Sequence, residues 1–108
     1  MLNSPKVALY LRTSTAEQNT DMQRRDLLAF AAARGWAIVT VYEDQASGTT
    51  TDRRPQWHQA MRDAGERRYD VLLVWRMDRW ARSLRDLVNS LQALTDVGVQ
   101  FVSLKDQI

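Results

Sequence analysis

The chain alternates short apolar runs with segments whose apolar residues recur at helical spacing. Val7-Ala8-Leu9-Tyr10-Leu11 is a continuous apolar run of strand length, the pattern of a strand covered on both faces. Leu27, Leu28, Ala31 and Ala32 then form one stripe, stopped by Gly35 where a helix-ending glycine is expected. The start of that helix has two candidates, because Thr15 with Gln18 and Thr20 with Gln23 both have capping-box spacing. Trp36 to Tyr42, β-branched and aromatic, predicts a second strand. From Glu43 to Arg54 the pattern gives way to Ser, Gly, Thr and charge, which predicts a mobile loop. Pro55 suits a first helical position, Trp57, Ala60, Met61 and Ala64 share a helical face, and Gly65 is the expected end. Val71-Leu72-Leu73-Val74-Trp75 is the most apolar run and predicts the central strand. Leu84, Leu87, Val88, Leu91 and Leu94 make an amphipathic helix closed by Gly98, and Val99 to Leu104 is the fourth strand.

Strand and helix alternate throughout, so the expected class is α/β: a three-layer α/β/α domain around a mainly parallel four-stranded sheet with right-handed crossovers. At 108 residues the chain is one domain. With no cysteine, disulfides and thiolate metal sites are excluded, which favours a reducing compartment. Met1 to Lys6 has no signal pattern and no apolar run approaches the ~20 residues that span a bilayer, so a soluble, cytoplasmic protein without membrane partners is expected. The net charge of +2 is mild, but Lys6 and Lys105 are the only lysines among 15 basic residues. Arginine's planar fork suits bidentate phosphate contacts. A base-composition bias in the gene would produce the same excess.

Ligands of open parallel sheets bind beyond the carboxyl ends of the strands. Arg12 and Ser14 follow the first strand, Asp44, Ser47 and Arg53 the second, and Asp78, Arg79 and Arg82 the third. Three distant segments would thus meet on one rim. Each residue also has a plainer reading. Ser14 could cap a helix. Arg12 needs an anion, supplied either by Asp78 or by a bound phosphate, because an unmatched buried charge costs several kcal/mol. Arg79 and Arg82 would share a face on one helical turn with Asp78 as its N-cap. The stretch from Ala46 to Arg54 could be a linker, and Arg76 and Arg85 could be surface residues or DNA-backbone contacts. His58 reads as a surface residue, Trp36, Trp57 and Trp75 as core, and Trp80 as a lid over the site or as packing.

Tyr10 to Gln18, Ala46-Ser47-Gly48 with Asp52-Arg53, and Asp78-Arg79-x-x-Arg82 together resemble the catalytic domain of the serine recombinases, the resolvases and DNA invertases. The ending from Phe101 to Ile108 is similar to the invertase branch. The resemblance implies a resolvase-like sheet in the order 2-1-3-4, with Ser14 and Asp78 on adjacent central strands. It implies that Ser14 attacks a DNA phosphodiester, leaving a 5′-phosphoseryl link and a free 3′-hydroxyl, and that strands are exchanged and resealed without metal, ATP or other cofactor. Arg12, Arg79 and Arg82 would clamp the phosphate, with Gln23 and Arg53 as accessory contacts and Asp78 as proton donor to the leaving oxygen. Gln18, Asp21, Ser47 and Asp52 match positions with supporting roles. DNA is the implied partner, and a full-length parent would be a dimer or tetramer. On this reading, residues 1–108 lack the family's dimerisation helix and DNA-binding domain, so the isolated chain would be monomeric and inactive in recombination. The alternative is a catalytically inactive fragment that serves as a protein-interaction module.

Three positions depart from the family pattern. Thr13 replaces valine, Trp80 stands where leucine is usual, and Ala81 where glycine is usual. If position 81 had to be left-handed, the methyl would cost about 1 kcal/mol. Other phosphate chemistries fit less well. A cysteine phosphatase lacks its nucleophile here, a receiver domain would need an acidic pair where Arg12 and Ser14 stand, and a nucleophile elbow lacks Gly-x-Ser-x-Gly.

Overall fold

The computed structural model describes residues 4–14, 16–45 and 54–106. Its elements are β1 (Lys6–Thr13), α1 (Asp21–Ala33), β2 (Ala37–Gln45), α2 (Pro55–Gly65), β3 (Val71–Val74), α3 (Leu84–Asp96) and β4 (Gln100–Ser103), with a 3-10 turn at Met77–Arg79. All strand pairs are parallel, and the sheet order is β2-β1-β3-β4, as expected.

Both central strands are covered on both faces, which is why their sequences read as unbroken apolar runs. Val7, Leu9 and Leu11 pack with Val71, Leu73 and Trp75 against Leu27 and Ala31 of α1. Ala8, Tyr10, Leu72 and Val74 turn to the other layer, where Trp57, Ala60 and Ala64 of α2 and Leu94 of α3 close the core.

Register positions the site. β2 pairs with β1 along its whole length, from Lys6 to Thr13, whereas β3 pairs only from Val7 to Tyr10. The end of β1, Leu11 to Thr13, therefore overshoots β3 and lies beside the chain turning out of it.

Several expectations change. Glu43 to Gln45 belong to β2 rather than to a loop, because the long β1 supplies partners for them: Leu11, Arg12 and Thr13. An edge strand tolerates their polarity. The remainder of that expected loop, residues 46–53, lies outside the described residues. On α1 the buried stripe is Gln23, Leu27 and Ala31, while Leu28 is 42% exposed. Asp21 opens that helix, and Thr20 caps it by position but makes no side-chain cap bond. On α3, Leu94 and Ser90 are buried, whereas Leu84 and Val88 of the expected stripe are 76% and 56% exposed. Gly65 is the last residue of α2, and the left-handed turn after it falls on Arg67 at φ 55°. Arg67 tolerates this because its guanidinium is held by the Val97 and Gly98 carbonyls and the Asp70 carboxylate. Gly98 itself has φ 80°, and an added Cβ would run into that guanidinium. Trp36 is half-buried at the rim of the α1 layer rather than fully inside.

Candidate active site

The site grows from the overshooting end of β1. One residue inside it, Tyr10 is fully buried and donates to Asp44 Oδ2 at 2.8 Å. Asp44 also accepts the Gln56 and Trp57 backbone N–H groups at 3.0 and 2.9 Å, so it caps α2 from the neighbouring strand. Asp44, placed on the functional rim by sequence position, is thus a structural residue. Burial, reinforced by the Asp44 carboxylate, raises the Tyr10 hydroxyl far above its ordinary pKa, so it stays a protonated donor. Asp44→Ala strands three donors and should cost about 2 kcal/mol, read as a lower urea midpoint.

Arg12 points to the same face as Tyr10 and leans over the turn that leaves β3. Its Nη2 donates to the Asp78 backbone carbonyl, not to the Asp78 carboxylate. The carboxylate instead bonds Arg79 Nη1 at 2.8 Å. Of the two anions expected for Arg12, Asp78 therefore supplies only a carbonyl dipole.

Ser14, half-buried just beyond β1, donates its backbone N–H to Glu17 Oε1 at 2.8 Å, and its carbonyl accepts the Glu17 N–H at 3.1 Å. The other Glu17 oxygen receives Arg79 Nη2 at 3.1 Å. Gln23, buried on α1, donates Nε2 to the Arg12 carbonyl at 2.9 Å and approaches Glu17 Oε1 at 3.5 Å. Burial opposes ionisation of Glu17, but the Ser14 N–H and the Arg79 guanidinium outweigh it and hold the carboxyl below its usual range. Three buried polar atoms here, Arg12 Nε, Arg79 Nε and Gln23 Oε1, have no hydrogen-bond partner among the described residues.

Asp78 does not cap a helix. The 3-10 turn carries Asp78 and Arg79, while Ser83 caps α3 by accepting the Asp86 N–H at 3.1 Å. Arg82 precedes that cap, its backbone N–H donating to Asp86 Oδ2 at 3.0 Å and its side chain exposed. Arg79 thus lies in the 3-10 turn and Arg82 beyond it, so the two do not share a face of one helix. Behind them Trp80 is fully buried, edge-on to Tyr10 at 5.2 Å and against Trp57 at 5.0 Å, with its indole N–H on Ser90 Oγ at 2.9 Å. It is packing and not a lid. Ala81 is not left-handed, since Arg67 is the only non-glycine residue with positive φ among the described residues, so its methyl carries no such penalty.

Gln18 and Asp21 are exposed at the approach to α1, and His58 is exposed on α2 beside Trp57. Ser47, Asp52 and Arg53 lie outside the described residues. Two residues at the site escaped the sequence reading. Glu17 had a signal, because Ser14-x-x-Glu17 also has capping-box spacing, and its Glu-to-N–H bond is the one that forms. Arg54 gave none beyond its charge. It is 4% exposed, bonds the Trp80 carbonyl and Asp86 Oδ2, both at 3.0 Å, and stacks on Trp57.

Known proteins share this fold. The family described as resolvase, N-terminal domain, matches residues 7–108. The serine recombinase gin of Escherichia phage Mu is 37% identical over 99 residues, covering 92% of this chain and 47% of that protein. A DNA-invertase of Enterobacteria phage P7 is 40% identical over 99 residues, covering 92% and 48%. The chain spans about half the length of these curated relatives. A resolvase family site-specific recombinase from Streptococcus pneumoniae superposes with a TM-score of 0.88 at 32% identity, over 97% of this chain and 75% of that one. The N-terminal catalytic domain of TP901-1 integrase gives 0.84 at 32% identity, over 95% and 79%. With the sheet order, the sequence and the solved structures in agreement, the chain belongs to the serine recombinases, through the N-terminal domain of the resolvase family.

Proposed function

We propose that this chain is the catalytic domain of a site-specific DNA recombinase in which Ser14 is the nucleophile. The observation that carries this reading is the contact chain Ser14–Glu17–Arg79 beside Arg12, which gathers a hydroxyl and two guanidinium groups from the end of β1 and the turn after β3 on one rim. The buried Nε donors of Arg12 and Arg79 support a ligand there, because a buried donor without an acceptor costs about 1–3 kcal/mol. A phosphate would satisfy both.

In the proposed step the Ser14 Oγ–phosphorus bond forms, the bond from phosphorus to the 3′-oxygen breaks, and the serine proton leaves to solvent. The departing 3′-oxygen takes a proton, with Asp78 as candidate donor. Attack by a 3′-hydroxyl on the phosphoserine reverses the step and reseals the strand, so the ester conserves the bond and no nucleotide, metal or other cofactor is called for. Positioning and charge stabilisation dominate such transfers. Arg12, Arg79 and Arg82 supply them, Gln23 holds the Arg12 main chain, and Arg53, Gln18, Asp21, Ser47 and Asp52 complete the proposed surface. A double-strand break needs two nucleophiles, so recombination takes at least two copies. DNA contact through phosphates alone makes binding by this domain weak, salt-sensitive and indifferent to sequence. A cytoplasmic setting fits such a protein, and among the described residues no helix is long and apolar enough to cross a membrane.

The test is denaturation-resistant attachment of the chain to a nicked duplex carrying a 3′-bridging phosphorothiolate, whose thiolate leaves without needing a proton. Attachment at Ser14, unaffected by chelators, is expected. Attachment at another residue, or a requirement for magnesium, overturns the reading. Arg12→Lys should lower the rate by about 10²-fold, because a point charge cannot reproduce the arginine fork. The exposed Leu84 and Val88 favour a second reading, an inactive interaction module. It predicts no attachment to any such substrate.

A further inference from the structure

We propose that Glu17 is a stand-in for the scissile phosphate: without DNA its carboxylate occupies the donors of the nucleophile's site, and DNA must displace it before Ser14 attacks. This deepens the preceding reading and rests on Ser14 as nucleophile.

The donors around Glu17 are those of an anion site. They are a backbone N–H at 2.8 Å from Ser14, an amide at 3.5 Å from Gln23, and a guanidinium nitrogen at 3.1 Å from Arg79. They come from the end of β1, from α1 and from the 3-10 turn. A phosphodiester presents the same single negative charge and a similar fork of two oxygens, so the exchange of one for the other conserves charge. Arg79 would otherwise be available to a phosphate. Here two carboxylates neutralise it, Glu17 on Nη2 and Asp78 on Nη1.

An ordinary helix cap does not account for this geometry. A capping glutamate needs one oxygen and a helix behind it, whereas α1 begins only at Asp21. The second Glu17 oxygen reaches a residue 62 positions away. Burial of Glu17 is partial, its side chain being 25% exposed, so the carboxylate has room to swing toward solvent when displaced. The low pKa noted above keeps it charged at neutral pH.

The test is titration of the 108-residue chain with diethyl phosphate, a phosphodiester monoanion, followed at the Ser14 and Arg79 backbone amides by NMR. Glu17→Gln keeps the shape and removes the charge. Its affinity should exceed that of the wild type by about tenfold, since a competitor that fills most of the sites lowers apparent affinity by the fraction left free. Unchanged or weaker binding overturns the proposal. Should Glu17→Gln lose the dispersed spectrum of the folded chain, Glu17→Asp decides: its shorter reach must release Arg79 and raise affinity severalfold, and no rise overturns the proposal. The gain must also persist on a Ser14→Ala background, because the Ser14 N–H and Arg79 contacts of Glu17 do not need the Ser14 hydroxyl. A persisting gain with no covalent capture by the wild type would sink the nucleophile assignment and leave the stand-in intact.

Discussion

Ser14→Ala abolishes covalent capture of the phosphorothiolate duplex, lowering the product to background, at least about 10³-fold below wild type, while the fold survives. Two structural contacts of Ser14 are made by its main chain, its N–H to Glu17 and its carbonyl from the Glu17 N–H, and its hydroxyl adds one more to the Glu17 carboxylate. The two main-chain contacts do not depend on the hydroxyl. The neighbouring hydroxyl of Tyr10 cannot substitute, since burial and Asp44 keep it protonated. Unfolding free energy should therefore move by no more than about 1 kcal/mol, the net worth of the one hydrogen bond that the hydroxyl makes. Capture that continued in Ser14→Ala would remove the assignment, whatever the family.

Arg54→Ala should be the most destabilising single change at the site, by about 3–5 kcal/mol in chemical denaturation at neutral pH. Arg54 is nearly inaccessible, and its guanidinium joins the start of α2 to Asp86 on α3 and to the Trp80 carbonyl. Removing it takes from the partly buried Asp86 its guanidinium partner and uncovers one face of Trp57. The pH dependence follows from Asp86. Burial opposes its ionisation, but the Arg82 backbone N–H and the Arg54 guanidinium outweigh it, so its folded pKa is lowered. A lowered pKa means stability that is fully present above the unfolded carboxylate value of about 3.9 and is lost as pH falls through the folded value. The gap between wild type and Arg54→Ala should thus be widest near neutrality and narrow steadily below about pH 4. A gap independent of pH would show that packing on Trp57, not the ion pair, carries the effect.

Much of this molecule is legible in its sequence, for a definable reason. Periodicity reports which face a residue turns to the core, and that information is local. The unbroken apolar runs of β1 and β3, the helical stripe of α2 and the glycines at φ 68° and 80° ending α1 and α3 all follow from it. So does the arrival of Arg12, Ser14, Asp78 and Arg79 on one rim, because polar residues just past parallel strands must emerge at the same edge of the sheet.

Partners were not legible. Nothing local tells Asp44 to cap α2 rather than face a ligand, Arg12 to take the Asp78 carbonyl rather than its carboxylate, Trp80 to fill the space between Tyr10 and Trp57, or Arg54 to bridge two helices. The Arg12 outcome follows from β1 running three residues past β3, which sets the end of β1 beside the turn from Met77 to Arg79. The sequence by itself determined the elements, the faces and the rim, because these depend on short-range spacing. Only the tertiary structure decided which charge meets which, because a hydrogen bond acts over about 3 Å and the groups that make it can lie anywhere along the chain.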